Sequence, residues 1–142
     1  MTTIKKIIVV HSTANVKDAG SDAVFELQIE RLQPGNVWEL LVNPNFPSLP
    51  HDERERGLTD LYSFDFSDHP IDWSGQTSNR IAMRMLTREG DGWLPKSIFV
   101  IGIESGRNAI VLGSHPAWPR TGWFDNGSDA LGPEAHIISG FS

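Results

Sequence analysis

The sequence contains no cysteine, and this absence removes several kinds of chemistry. Disulfide bonds, a thiol nucleophile and any zinc site built from thiolates are excluded, whereas the cellular compartment is left open. Long apolar runs are also missing. The apolar stretch near the N-terminus, residues 7–10, is too short for a signal-peptide core or a membrane span. We therefore expect no export or anchoring segment, and a cytoplasmic or peripheral membrane location by default.

Positive charge is scarce as well. The chain has 12 Lys and Arg against 18 Asp and Glu, which gives a formal net charge of −6. This balance gives no sign of the basic surface that binds nucleic acid, and it weakens direct attraction to anionic lipid surfaces. An acidic protein that approaches a phosphate surface generally needs a bridging cation.

Apolar residues recur mainly with a period of two, and a stripe at helical spacing is hard to find over more than two turns. Residues 61–67 show the pattern, since Tyr62 and Phe64 alternate with Ser63 and Asp65. The same pattern predicts eight strands, at 4–12, 23–30, 37–43, 61–67, 80–87, 97–103, 109–113 and 135–139. A chain of 142 residues with this pattern is predicted to form one all-β domain over 1–142, a sandwich or a jelly roll.

Two acidic turns stand at the ends of predicted strands, at residues 17–22 and 88–93. Calcium takes six to eight oxygen ligands from carboxylates, backbone carbonyls and water. A strand-end loop can supply them with Asp for charge and Gly for a carbonyl turned outward. Antiparallel connections gather at the two ends of a sandwich, so loops distant in sequence can converge there. Asp and Gly are also the default turn residues, so ordinary turns remain the alternative.

Four blocks carry a family resemblance. Residues 17–22 are similar to an Asp-x-Gly-Thr-Asp loop, and 55–64 to a Gly-x-x-Asp-x-Tyr-x-Phe segment. Between them lie Trp38-Glu39 and Asn43-Pro44, and after them 91–98 gives an acidic loop, an aromatic residue and a strand. In this order the blocks resemble the PLAT domain (polycystin, lipoxygenase, alpha-toxin), and most closely the C-terminal domain of clostridial alpha-toxin phospholipase C.

The resemblance implies an eight-stranded antiparallel β-sandwich of two four-stranded sheets, no catalytic centre, and calcium-linked docking to membrane phospholipid or a protein partner. The calcium ligands that it implies are carboxylates of Asp18 and Asp91 and backbone carbonyls of Gly20 and Gly92, with Ser21 and Asp22 as secondary candidates.

The sequence departs from the family pattern at two places. Toxin-type domains have a second calcium loop after the Trp-Glu strand, but here this region is lengthened to 43–53, and Arg54 stands where the family places an aromatic residue. We expect no second calcium site there. The membrane-probing aromatic residues before the second acidic residue are replaced by 86–90, although Arg88 can donate a charge-assisted hydrogen bond to a headgroup phosphate.

Other apolar residues in predicted loops are candidates for contact with lipid or a partner: Phe46, Leu49, Trp73, Trp118, Trp123 and Phe124. Aromatic side chains favour interfaces, because the ring is apolar and its edge is polar. The alternative is that these residues cap the open ends of the sandwich. Trp93, at the start of a strand, is predicted to be core.

Three functional hypotheses follow. The leading one is a non-enzymatic calcium-binding module that docks to a membrane or a protein, and the second is a calcium-independent protein-interaction module that uses its aromatic loops. The third is a jelly-roll hydrolase. It requires a paired-carboxylate or metal-histidine constellation, and the five histidines are scattered without such spacing. Apart from the late aromatic candidates for contact, the sequence assigns no role to residues 104–142, and it assigns no oligomeric state.

Overall fold

The computed structural model describes residues 2–75, 77–88, 91–106, 108–127 and 129–142. Within these ranges the chain forms strands and no helix. The strands are β1 (Thr2–Thr13), β2 (Phe25–Gln33), β3 (Val37–Val42), β4 (Thr59–Asp65), β5 (Ile71–Trp73), β6 (Asn79–Met85), β7 (Pro95–Glu104), β8 (Ala109–His115), β9 (Ala135–Ile137) and β10 (Gly140–Phe141). All eight predicted strands are confirmed; β5 and β10 were not predicted. Glu89 and Gly90 of the second acidic turn lie outside the described residues.

The strands form two sheets. The first has six strands in the order β10-β8-β7-β1-β4, with β5 pairing the N-terminal part of β1, and the second has four in the order β3-β2-β6-β9. The all-β sandwich is therefore confirmed, but the division is six and four within the described residues rather than four and four. One pair also departs from the antiparallel prediction, because β10 runs parallel to β8.

The core lies between the two sheets. Period-two alternation turns Tyr62 fully inward at 0% exposure, whereas its neighbour Leu61 is 56% exposed. The facing sheet contributes Leu27 and Ile29, both at 0%. Burial of this apolar surface between the sheets is the main stabilising contribution to the fold.

Trp93 ties the loop between β6 and β7 to this core. The side chain is fully buried, which confirms its predicted place in the core. Its indole N–H donates to Thr13 Oγ1 at 2.9 Å, and its backbone exchanges two hydrogen bonds of 2.8 Å with Phe124. Trp93 is thus fixed both to the end of β1 and to the C-terminal segment.

Candidate metal site

The two acidic loops meet at one end of the sandwich. The last residue of β1, Thr13, pairs with the first residue of β7, Pro95, so the loops at 14–24 and 86–94 adjoin the same end of the six-stranded sheet. They touch directly, because the Ser21 hydroxyl donates to the Asp91 carbonyl oxygen at 2.6 Å. This meeting of loops 70 residues apart is the geometric condition that the calcium hypothesis sets.

A third loop, residues 53–58 before β4, packs against the first. The Ser21 N–H donates to the Arg54 carbonyl oxygen at 3.0 Å. A Cβ atom added to Gly20 would lie 3.0 Å from that same oxygen and 3.3 Å from the Arg56 nitrogen. Gly20 therefore has a steric role that sequence reasoning did not give it, since a side chain there would push the first and third loops apart.

These three loops border an open pocket of about 260 Å³. Its lining combines five of the predicted ligands with two residues of the third loop: Asp18, Gly20, Ser21, Asp22, Asp91, Glu55 and Arg56. Sequence reasoning missed the last two because they sit in a short run of alternating charge, which is typical of a solvated loop. Gly92 is the predicted ligand that does not line the pocket. It packs instead against the Asp125 carboxylate, which a Cβ atom at Gly92 would approach to 3.0 Å.

The donor set has the chemistry that calcium prefers, because it consists of carboxylate, hydroxyl and backbone oxygens. However, no three acidic or imidazole side chains among the described residues lie close enough together to form a metal site. Asp18, Asp22 and Asp91 are exposed, so their carboxylates would have to close around an ion. Arg56 also borders the pocket, and its Nε donates to Asn15 Oδ1 at 3.1 Å, which holds that guanidinium beside the first loop.

The Ser21 hydroxyl links the two acidic loops, so we expect Ser21→Ala to loosen them. The hydroxyl donates to Asp91 and accepts from the Ala23 N–H at 3.1 Å, and the side chain is only 5% exposed. Loss of these bonds should lower the free energy of unfolding by about 1 to 2 kcal/mol. It should also weaken calcium binding severalfold, since the loops must then be ordered on binding.

Urea denaturation and calcium calorimetry measure the two effects, with the exposed Ser63→Ala as the matched control. Unchanged calcium affinity in a folded Ser21→Ala protein would show that this bond does not organise the site.

The residues predicted to touch lipid or a partner do not form one surface, because some are buried in the core and others are exposed. Phe46, Trp73 and Phe124 belong to the core at 7%, 4% and 0% exposure, so their assignment to a binding surface is wrong. Phe46 packs edge-on against Tyr62, and Trp73 is drawn inward because β5 pairs with β1. Leu49 is half-buried against the core, whereas Arg88 is exposed. Trp118 is half-buried beside a separate groove.

A buried polar cluster lies behind the third loop. The Arg54 guanidinium carbon lies 4.5 Å from the centroid of the Phe25 ring and 5.3 Å from that of Tyr62, and burial lowers the pKa of Arg54. Its Nε and Nη2 atoms are buried without hydrogen-bond partners among the described residues. The Asp60 carboxylate accepts from the backbone N–H of Arg54 at 2.7 Å. Aromatic rings thus surround the Arg54 guanidinium, so a cation stands at the position where the family resemblance implies an aromatic residue.

The chain is similar to known proteins at the level of structure. The alpha toxin of Clostridium absonum aligns with 97% of this chain and 32% of its own, with a TM-score of 0.60 and 20% identity. The alpha toxin of Clostridium perfringens aligns with 96% of this chain and 32% of its own, with a TM-score of 0.62 and 17% identity. Coral 8R-lipoxygenase is described as activated by calcium through a C2-like domain. It aligns with 94% of this chain and 16% of its own, with a TM-score of 0.58 and 13% identity.

The protein has a PLAT-type fold. The resemblance seen in the sequence is thereby confirmed at the level of the fold, for the alpha-toxin domain and for lipoxygenase. The chain spans about a third of the length of the two toxin chains. No protein-family description and no curated protein matches this sequence. Among the described residues, no helix has the length and apolar character needed to cross a bilayer.

Proposed function

We propose that this protein is a non-catalytic calcium-binding module that docks to membrane phospholipid through the end of the sandwich that carries Asp18 and Asp91. The observation that carries the proposal is the contact between Ser21 and Asp91, which brings both acidic loops into one pocket. The shared fold adds support, since coral 8R-lipoxygenase is described as activated by calcium through a C2-like domain.

The mechanism rests on charge. The carboxylates of Asp18, Asp22 and Asp91 would hold a calcium ion, which supplies positive charge and open coordination positions for phosphate oxygens. Without it, the three exposed carboxylates, on a chain of net charge −6, repel an anionic bilayer. Arg88, exposed in the same loop as Asp91, can add a charge-assisted hydrogen bond to a headgroup phosphate.

Calcium calorimetry tests the metal part of this proposal. The Asp18→Asn, Asp91→Asn double variant keeps side-chain volume and removes two charged ligands, so we expect calcium binding at least tenfold weaker than in the wild type. The Asp68→Asn, Asp72→Asn variant is the matched control, because it removes two exposed carboxylates that do not line the pocket. Indistinguishable calcium heats for the first variant and the wild type would refute the metal site.

Vesicle co-sedimentation tests the docking part. Vesicles of phosphatidylcholine with phosphatidylserine should pellet the wild type in calcium and release it in chelator. The Asp18→Asn, Asp91→Asn variant should stay in the supernatant in both conditions. Equal pelleting with and without calcium would contradict the bridging mechanism.

A second candidate function is calcium-independent docking to a protein partner. Its support is the outward face of the six-stranded sheet, where Val10 pairs between Leu61 and Phe99, and Ile101 pairs with Val111. Leu61 and Val111 are 56% and 52% exposed on this face. In the vesicle experiment, no lipid binding in either condition would favour this candidate.

A further inference from the structure

A groove of about 560 Å³ lies at the same end of the sandwich as the pocket lined by Asp18, Asp22 and Asp91, here called the acidic pocket. Three segments form it: residues 14–16 from the first loop, 94–96 at the start of β7, and 116–123 after β8. Its volume is within the range of about 300 to 1,000 Å³ that is typical of small-molecule sites. None of the predicted calcium ligands lines it.

The walls of this groove are mainly apolar and partly rigid. Val16, Leu94, Trp118 and Trp123 supply most of the large apolar side chains. Trp118 is held in place, because its indole N–H donates to the Gly122 carbonyl oxygen at 2.9 Å and its ring stacks on Phe124 with an interplanar angle of 19°. A preformed wall of this kind lowers the ordering cost of binding an apolar chain.

The charged side chains that line the groove are both cations, Lys96 and Arg120. Both are exposed, and neither forms an ion pair with a described residue. No described Asp or Glu lines the groove. Acidic residues outnumber basic ones on this chain by 18 to 12, yet the groove places positive charge beside apolar surface, with no described acidic residue in its lining to neutralise it.

We propose that this groove binds a single-chain amphipathic anion of the fatty-acid type. The apolar tail packs against Trp118, Trp123 and the aliphatic side chains, and the carboxylate pairs with Lys96 and Arg120. Binding needs no calcium, because the groove has no residue in common with the acidic pocket. Loss of calcium binding would therefore not abolish binding in this groove.

Titration with monomeric octanoate, nonanoate and decanoate, in chelator and below their micellar concentrations, tests the site. Two of the chain's five tryptophans line the groove, so tryptophan fluorescence reports occupancy and calorimetry gives the stoichiometry. We expect saturable one-to-one binding that tightens about fourfold with each added methylene. Decanol, with the same tail and no charge, should bind about tenfold more weakly than decanoate. Equal binding of decanol and decanoate would overturn the anion assignment.

The Lys96→Gln, Arg120→Gln variant should weaken decanoate binding about tenfold and leave decanol binding unchanged. The matched control is Lys5→Gln, Lys6→Gln, which removes two exposed cations near the N-terminal end of β1, whereas the groove adjoins its C-terminal end. A second variant, Ala117→Trp, should block the groove for both ligands. Wild-type decanoate affinity in the first variant would refute the proposal. Binding to anionic vesicles with no saturable binding of monomeric decanoate would also refute it, while leaving membrane docking intact.

Discussion

Between pH 6.5 and about pH 3, we expect His11 alone to lower the free energy of unfolding by about 1.4 kcal/mol for each unit of falling pH. Burial, followed by the charge of Arg54, lowers the pKa of His11 from 6.5 to about 3. Its ring is fully buried, and neither ring nitrogen has a hydrogen-bond partner among the described residues. The folded protein therefore holds His11 neutral at a pH where the unfolded chain protonates it.

The direction of this pH dependence follows from the difference in proton uptake between the folded and unfolded states. Above pH 6.5 both states carry a neutral His11, and its full contribution to stability is present. Below that pH the unfolded state binds a proton on His11, whereas the folded state does not. The contribution therefore decreases progressively down to about pH 3, where the folded state is protonated as well and the decrease ends. The total loss is about 4 to 5 kcal/mol, a large fraction of the stability of a small domain.

Urea denaturation at a series of pH values, compared between wild type and His11→Met, isolates this contribution. Methionine fills the space without a titratable group, so the variant should lose the His11 part of the slope. His69→Gln is the control, because His69 is exposed. A histidine ring resonance of His11 that titrates near pH 6.5 in the folded protein would contradict the prediction directly.

Gly113→Ala is expected to destabilise the fold by about 3 kcal/mol. A Cβ atom at Gly113 would overlap the backbone carbonyl of Ile138 and lie 3.1 Å from the Ser139 Cα atom. The obstacle is backbone rather than a flexible side-chain end, so relief requires moving the C-terminal segment, which pairs with β8 through Gly140 and Phe141.

Thermal or urea denaturation measures this cost, with Gly106→Ala as the matched control. At Gly106 the nearest heavy atom to an added Cβ is 4.0 Å away, so the same substitution should change stability by less than about 1 kcal/mol. Equal stability of the two variants would show that the close approach at Gly113 is not required.

The sequence pattern was sufficient for the regular part of the fold. Alternation in 61–67 and 80–87 predicted β4 and β6 because each of these strands turns one face toward the core. The two unpredicted strands have three and two residues, too few for a period to show. They exist through pairing with β1 and β8, which is information about distant segments. Their addition to one sheet explains why the division is unequal.

The candidate site was predictable only where a strand end marked it. Asp18 and Asp91 flank strands, so their loops could be expected to meet, whereas Glu55 reaches the pocket through the packing of Gly20 against the third loop. Phe46 was misassigned for the opposite reason. A proline-rich segment reads as an exposed loop, yet the Phe46 backbone bonds to Phe25 and its ring enters the core. Burial in irregular segments is set by tertiary contacts that no local pattern encodes.

The first loop belongs to two cavities at once. Residues 14–16 form one side of the apolar groove, and Asp18, Gly20, Ser21 and Asp22 line the acidic pocket a few positions later. A ligand that orders this stretch from one side reduces the entropy that the other ligand must remove. If both proposed ligands bind, thermodynamic linkage requires reciprocity: calcium would change the affinity for the amphiphile by the same factor as the amphiphile changes the affinity for calcium.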